Sequence, residues 1–205
     1  LFLEDLEVSP GDFVTYFVRA RDIGRGKPPA ETRSDMFFLE VRPFSEEFVL
    51  AQSQAMSGMA SEQLETLVAA QKEIINATWN IERRAASGAG RSAADVTAIA
   101  AAQAELRGRA ERISSRTGRG RGLIRFPQQV SSPRQLRGGA GAPDPVAGAI
   151  SAMTRAIGQL EDQRTGEALP HEMTALQGLL QAQAEIRRRE VAQQAGASMG
   201  GLGRQ

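Results

Sequence analysis

The sequence predicts a mainly α chain: two long helical hairpins, bundle-like or coiled-coil-like, preceded by the terminal antiparallel strands of a β-sandwich. Three observations carry this. Apolar residues recur at three- and four-residue spacing in four long stretches after residue 60, the period of an amphipathic helix. Alternation of period two is confined to the first 42 residues, between strong turn signals. A Gly-, Arg- and Pro-rich stretch, 117–142, separates the helices into two pairs.

Residues 1–43 read as strands. Leu1–Val8 partly alternates, Ser9-Pro10-Gly11-Asp12 is a turn signal, and Phe13–Arg21 alternates with Val14, Tyr16, Val18 and Ala20 on one face. Asp22–Ser34 reads as a loop, and Asp35–Arg42 as a further strand. So few strands enclose no core alone, so they read as the end of a sandwich whose earlier strands lie upstream. A tight turn followed by Tyr16 resembles the corner of immunoglobulin-like sandwiches, where a tyrosine hydroxyl bonds back to the backbone, which implies a structural Tyr16. Because residue 1 is Leu and the chain opens in mid-strand, the sequence is expected to be an internal fragment.

The second region, 44–116, begins with Phe44–Met59, whose apolar residues fall at helical spacing. The helix of Leu64–Arg84 follows. Leu64, Leu67, Val68, Gln71, Ile74, Ile75, Thr78 and Ile81 form its seam, and Glu62, Glu65, Lys72, Glu73, Glu82 and Arg83 are expected to face water. Ser61 suits its cap and Gly88 its end. Ser92–Arg116 is the next helix, started by Ser92 with Asp95 three residues on and carrying Val96, Ile99, Gln103, Leu106, Ala110 and Ile113 inward. The short loop between them makes an antiparallel hairpin.

Residues 117–142 read as a poorly ordered linker. The second hairpin, 143–194, combines Pro143–Arg164, with Val146, Ile150, Met153, Ile157 and Leu160 inward, and Glu167–Gln194, with Leu169, Met173, Leu176, Leu180, Gln183 and Ile186 inward. Thr165-Gly166 is expected to make the turn between them, with Pro170 in the first turn of the last helix, where no amide partner is lost. Residues 195–205 read as a disordered Gly-rich tail.

Three weak echoes, Ala70-Gln71-Lys72-Glu73-Ile74, Ala102-Gln103-Ala104-Glu105-Leu106 and Ala182-Gln183-Ala184-Glu185-Ile186, each place a glutamine on an apolar seam. Such a residue costs stability but fixes helix register by hydrogen-bonding a partner helix. Gln71, Gln103 and Gln183 are therefore the candidate helix-interaction residues. Trp79, the one tryptophan, joins them as an anchor between helices.

The 205 residues carry a net charge of +1, so no global field draws the chain to nucleic acid or membrane. Cysteine is absent, which leaves no disulfide framework and no thiolate metal site. His171 is the single histidine, so a zinc site or a Ser-His-Asp triad lacks its parts. Adjacent acids such as Glu46-Glu47 and Glu161-Asp162 point apart and make no acid–base couple. The glycine runs at Gly24-Arg25-Gly26 and Gly118–Gly122 lack the strand–loop–helix context of a phosphate loop. The expectation is therefore a chain that is not an enzyme, with no cofactor, no metal and no small-molecule substrate. One charge asymmetry stands out: Arg107–Arg137 holds nine arginines against Glu111 alone. Arg116, Arg119, Arg121 and Arg125 are thus candidate anion-binding residues, for nucleic acid or acidic lipid, although sparse aromatics make nucleic acid the poorer fit.

The phrases FLEDLEVSPGDFVTYFVRARD, ETRSDMFFLEVRPF, AAQKEIINATW and EALPHEM with LLQAQAEIRRREV resemble a family of large bacterial membrane-anchored proteins of unknown function. Its members have N-terminal transmembrane helices, an immunoglobulin-like ectodomain, a Gln-rich coiled-coil region and a Gly-rich tail. The resemblance implies a cell-envelope protein, anchored upstream of this region, with the region itself outside the cytoplasm. It supplies no catalytic residue. The function expected is a non-enzymatic scaffold or protein-interaction region. Its helical seams would meet other helices, in the same chain or in another copy.

Overall fold

The computed structural model describes residues 8–9, 11–22, 30–41, 59–88, 90–121 and 144–200, and for 59–60, 116–121 and 189–200 the backbone alone. The strand expected over residues 1–8, apart from its last residue, the helix over Phe44–Met59, apart from its last residue, and most of the linker lie outside these residues. The chain is mainly helical, with two small antiparallel strand pairs ahead of the helices.

The strands are β1 (Phe13–Tyr16), β2 (Arg19–Arg21), β3 (Glu31–Arg33) and β4 (Phe37–Glu40). β1 pairs with β4, with Tyr16 opposite Phe37, and β2 pairs with β3, with Arg19 opposite Arg33. Between the two ladders, residues 17–18 face residues 34–36, so one strand carries an extra residue, as in a bulge. Ser34 builds it: its amide donates to the Val18 carbonyl at 2.8 Å, and its hydroxyl accepts from the Val18 amide at 2.9 Å. The continuous alternation expected over Phe13–Arg21 is therefore interrupted after Tyr16. The loop expected over Asp22–Ser34 gives up its last part to β3, because arginine and glutamate side chains tolerate an exposed ladder. At the other end the Ser9–Asp12 turn forms as expected. The Asp12 amide donates to the Ser9 carbonyl, the Asp12 carboxylate accepts from the Ser9 amide, and Gly11 takes φ +98°.

Four helices follow: α1 (Met59–Ala86), α2 (Ala93–Arg121), α3 (Pro145–Glu161) and α4 (Thr165–Gly200). α1 packs on α2 and α4, and α3 packs on the same two, which closes a four-helix ring. Gln71 meets Gln103 while Arg84 meets Asp95, so α1 and α2 are antiparallel. Glu82 meets Thr165 while Glu65 meets Gln183, so α1 and α4 are antiparallel too. The result is an up-down-up-down bundle.

All eight seam residues expected on α1 are buried, as are Val96, Ile99, Gln103, Leu106 and Ala110 on α2. Met153, Ile157 and Leu160 on α3 and Leu169, Leu176, Leu180 and Gln183 on α4 join them. α3 meets α4 through small residues. A Cβ placed on Gly178 would lie 2.7 Å from the Pro145 carbonyl oxygen and 3.0 Å from the Ala149 Cβ, so the two backbones nearly touch.

The helix ends differ from expectation in four places. Ser61 does not cap α1, because the helix has already begun at Met59 and buries the serine. α2 runs on to Arg121, and α4 to Gly200, because an established helix propagates at little cost through Arg, Ser, Ala and Gln. Thr165 and Gly166 lie inside α4, not in the turn. The turn is Asp162–Arg164 instead, with Gln163 at φ +61°. Pro170 is consequently in the sixth position of α4 and removes the amide that would bond the Gly166 carbonyl. Ser92 starts α2 as expected, its hydroxyl accepting from the Asp95 amide at 3.3 Å, and Asp144 caps α3 by accepting from the Val146 amide at 3.1 Å.

Gln163 is the one non-glycine residue with positive φ among the described residues. A left-handed conformation costs an L side chain about 1–2 kcal/mol. Gln163→Gly is expected to raise stability by about 1 kcal/mol, with chemical denaturation as the measurement.

Candidate functional site

The polar side chains on the seams are the places where this bundle departs from plain packing. Gln71 and Gln103 are both fully buried and bond each other reciprocally, at 3.1 Å and 2.9 Å. Each amide supplies one N–H and one oxygen to the other, which satisfies half of each group's capacity and fixes α1 against α2. The third echo does not join them. Gln183, on α4, donates to the Glu65 carboxylate of α1 at 3.3 Å. Two of the three glutamines thus form one pair and the third makes its own cross-helix bond.

Trp79 anchors α1 to the strands, not to another helix. Its indole N–H donates to the Ser34 carbonyl at 3.0 Å, and its ring lies 4.8 Å from that of Phe17. It belongs to a second stripe on α1, Lys72, Asn76, Trp79 and Arg83, at spacings of four, three and four. Asn76 accepts from the Met36 amide at 3.1 Å. Arg83 donates to the Arg33 carbonyl at 2.7 Å and pairs with Asp35 at 3.3 Å. Lys72 sits over the Phe38 ring at 5.9 Å. The stripe reads the bulge: it takes up the backbone groups that the interrupted ladder releases. Buried Arg187 of α4 pairs with Glu40 of β4 at 3.2 Å and holds the other end. This is why the off-seam residues of α1 do not all face water. α1 has neighbours on three sides, so only Glu62, Glu65 and Glu73 of the expected six lie exposed.

Docking one face of the strands leaves the other outward. Tyr16 and Phe37 stack at 5.4 Å, and both remain about half exposed, at 49% and 47%, with Leu39 beside them. The sequence signal for this face was Val14-x-Tyr16 opposite Phe37-x-Leu39.

Glu82, at the end of α1, receives the Thr165 hydroxyl and the Gly166 amide, so it caps α4 from across the interface. Arg91 clasps the same carboxylate at 3.0 Å. Partial burial pushes the Glu82 carboxyl up, but these bonds and the Arg91 charge outweigh it and hold the group below its ordinary range. Its contribution to stability is present above pH 4.5 and is lost as pH falls through the lowered value.

Glu172, passed over in the sequence as a neighbour of His171, is fully buried. The signal was its position, three after Leu169 and four before Leu176. Its Oε1 lies 2.9 Å from the Thr78 hydroxyl, and its Oε2 has no hydrogen-bond partner. Burial pushes its carboxyl up to about 8, with the Thr78 hydrogen bond pulling the other way. His171 itself is half-buried.

The candidate anion-binding residues divide. Arg116, Arg119 and Arg121 fall on the last turns of α2, where Arg112, Arg116 and Arg119 follow one another at helical spacing. Arg125 lies outside the described residues. Earlier in α2, Arg107 pairs with Glu111, and Arg109 with Glu105. A cleft of about 530 Å³ between β3 and the end of α1 is lined by Arg33, Arg83 and Arg84. Glu31, Asp35 and Asp95 match these three one for one, which leaves the trio no surplus charge for a bound anion.

Among the described residues, no three His, Asp or Glu side chains gather as metal ligands, and no helix is long and apolar enough to cross a membrane. No family model, curated protein or solved structure matches the chain.

Proposed function

We propose that this region is a non-enzymatic scaffold of a membrane-anchored bacterial envelope protein, in which the bundle fixes the strand pair and the strand pair meets another protein. The supporting observation is the outward face of Tyr16, Phe37 and Leu39, exposed and largely aromatic on strands that α1 and α4 hold from behind. The glutamine seams spend their bonds inside the chain, so they support internal register more than association with a second copy. The envelope location rests on the family resemblance alone. Photocross-linking in cells from position 16, with exposed Glu73 as the control position, tests the interaction. A discrete protein adduct from position 16 and none from 73 is expected. Equal yield from both, or none from either, overturns it.

A second reading, polyanion binding through residues 107–137, draws support from the continuation of α2 to Arg121, which aligns Arg112, Arg116 and Arg119 along one row. Phosphate contacts lose affinity steeply with salt. A gel shift at low salt that disappears at high salt is expected on this reading, and no shift at low salt removes it.

A further inference from the structure

We propose that Glu172 is a proton-operated latch, closing α4 against α1 when its carboxyl is protonated and loosening it when the carboxyl ionises. The inference is independent of the outward strand face.

The Thr78 Oγ1 lies 3.1 Å from the Ile74 carbonyl and 2.9 Å from Glu172 Oε1, and a hydroxyl has one proton to give. If that proton goes to Ile74, the contact with Glu172 is satisfied only by a proton on the carboxyl, donated to Oγ1. The neutral acid completes the chain Glu172 to Thr78 to Ile74. The carboxylate leaves two acceptors competing for one proton, and its Oε2, which has no partner in either state, then shares a buried negative charge.

Nothing charged compensates. Among the described residues, the buried side chains of α1, α2 and α3 include no titratable group, only Ser61, Gln71, Thr78 and Gln103 among polar ones. On α4 the other buried charge is Arg187, roughly 22 Å along the helix at 1.5 Å per residue, and it is paired with Glu40. An ionised carboxylate at this place is a buried charge with no counterion.

The strain has a local outlet. Pro170, two residues earlier, already lacks its bond to the Gly166 carbonyl, so α4 yields there before the bundle as a whole does. Two of the contacts between α1 and α4 then have opposite senses. Glu82 holds the start of α4 when ionised, and Glu172 holds its middle when neutral.

Because the folded-state value lies above the unfolded one, the latch's contribution is complete below pH 4.5, declines through the window from 4.5 to about 8, and is absent above it. Within the window the folded-to-unfolded ratio falls up to tenfold per pH unit.

Urea unfolding and amide hydrogen exchange of the whole chain between pH 5 and 9, with Glu172→Gln alongside, test this. The folding constant of the wild type is expected to fall about a hundredfold from pH 5 to 7, and protection over 168–180 to drop near pH 8. Glu172→Gln is expected to remove that slope and keep the protection. Equal slopes in the two proteins overturn the proposal. Should the variant fail to fold, the carbon-13 shift of the Glu172 carboxyl in the wild type decides. A midpoint near 8 supports the latch and one near 4.5 overturns it.

Discussion

Gly178→Val lowers the stability of the bundle by about 3 kcal/mol, the upper part of the range for overpacking a close contact. The clash falls on backbone: the new Cβ meets the Pro145 carbonyl oxygen at 2.7 Å and the Ala149 Cβ at 3.0 Å. A flexible side chain could swing away, but a carbonyl in the first turn of α3 moves only with its helix. α3 must therefore retreat from α4. Retreat strips contacts from Ala149, Ala152, Met153 and Ala156, all fully buried. Gly158→Ala serves as the control. A Cβ there meets nothing within 4 Å, and alanine improves helix propensity, so that change is expected to stabilise by a few tenths to 1 kcal/mol. Denaturant midpoints of the two variants make the comparison. Equal effects would mean that α3 and α4 do not approach as described.

That contact shows where sequence reading stops. The seams of α1 to α4 were legible because apolar spacing is local: the period is fixed by the helix, and burial follows it. The Ser9–Asp12 turn and the Ser92 start were legible for the same reason, since a cap bonds to an amide three residues away. Gly178 gives no such local signal, because its reason lies on another helix. The same holds for the stripe Lys72, Asn76, Trp79 and Arg83. It reads as an ordinary polar flank until the bulge at Ser34 supplies the carbonyls and amide that it binds. Glu172 is hard to place from sequence for a further reason. Charge is normally a sign of exposure, and that default outweighed a spacing that placed the residue inside.

The glutamine pair carries the other large effect, and it separates what a buried polar contact contributes from what its loss costs. Gln71→Leu keeps the volume and removes the partner, leaving the Gln103 amide buried with neither of its bonds to Gln71. An orphaned buried donor or acceptor costs about 1–3 kcal/mol, so a loss of about 3 kcal/mol is expected for the amide as a whole. Gln103→Leu should cost about the same, for the mirrored reason. The double change Gln71→Leu with Gln103→Leu removes both amides and leaves none orphaned. It is expected to return close to the original stability or above it, a coupling of about 3 kcal/mol or more between two helices. Additive losses in the double variant would show that the amides do not bond each other. What the pair contributes is then register, since an all-leucine seam lets α1 slide past α2 and a reciprocal amide pair does not. Amide exchange in α1 makes that visible: the double variant should unfold at the same urea concentration or higher, yet protect Gln71 and its neighbours less uniformly.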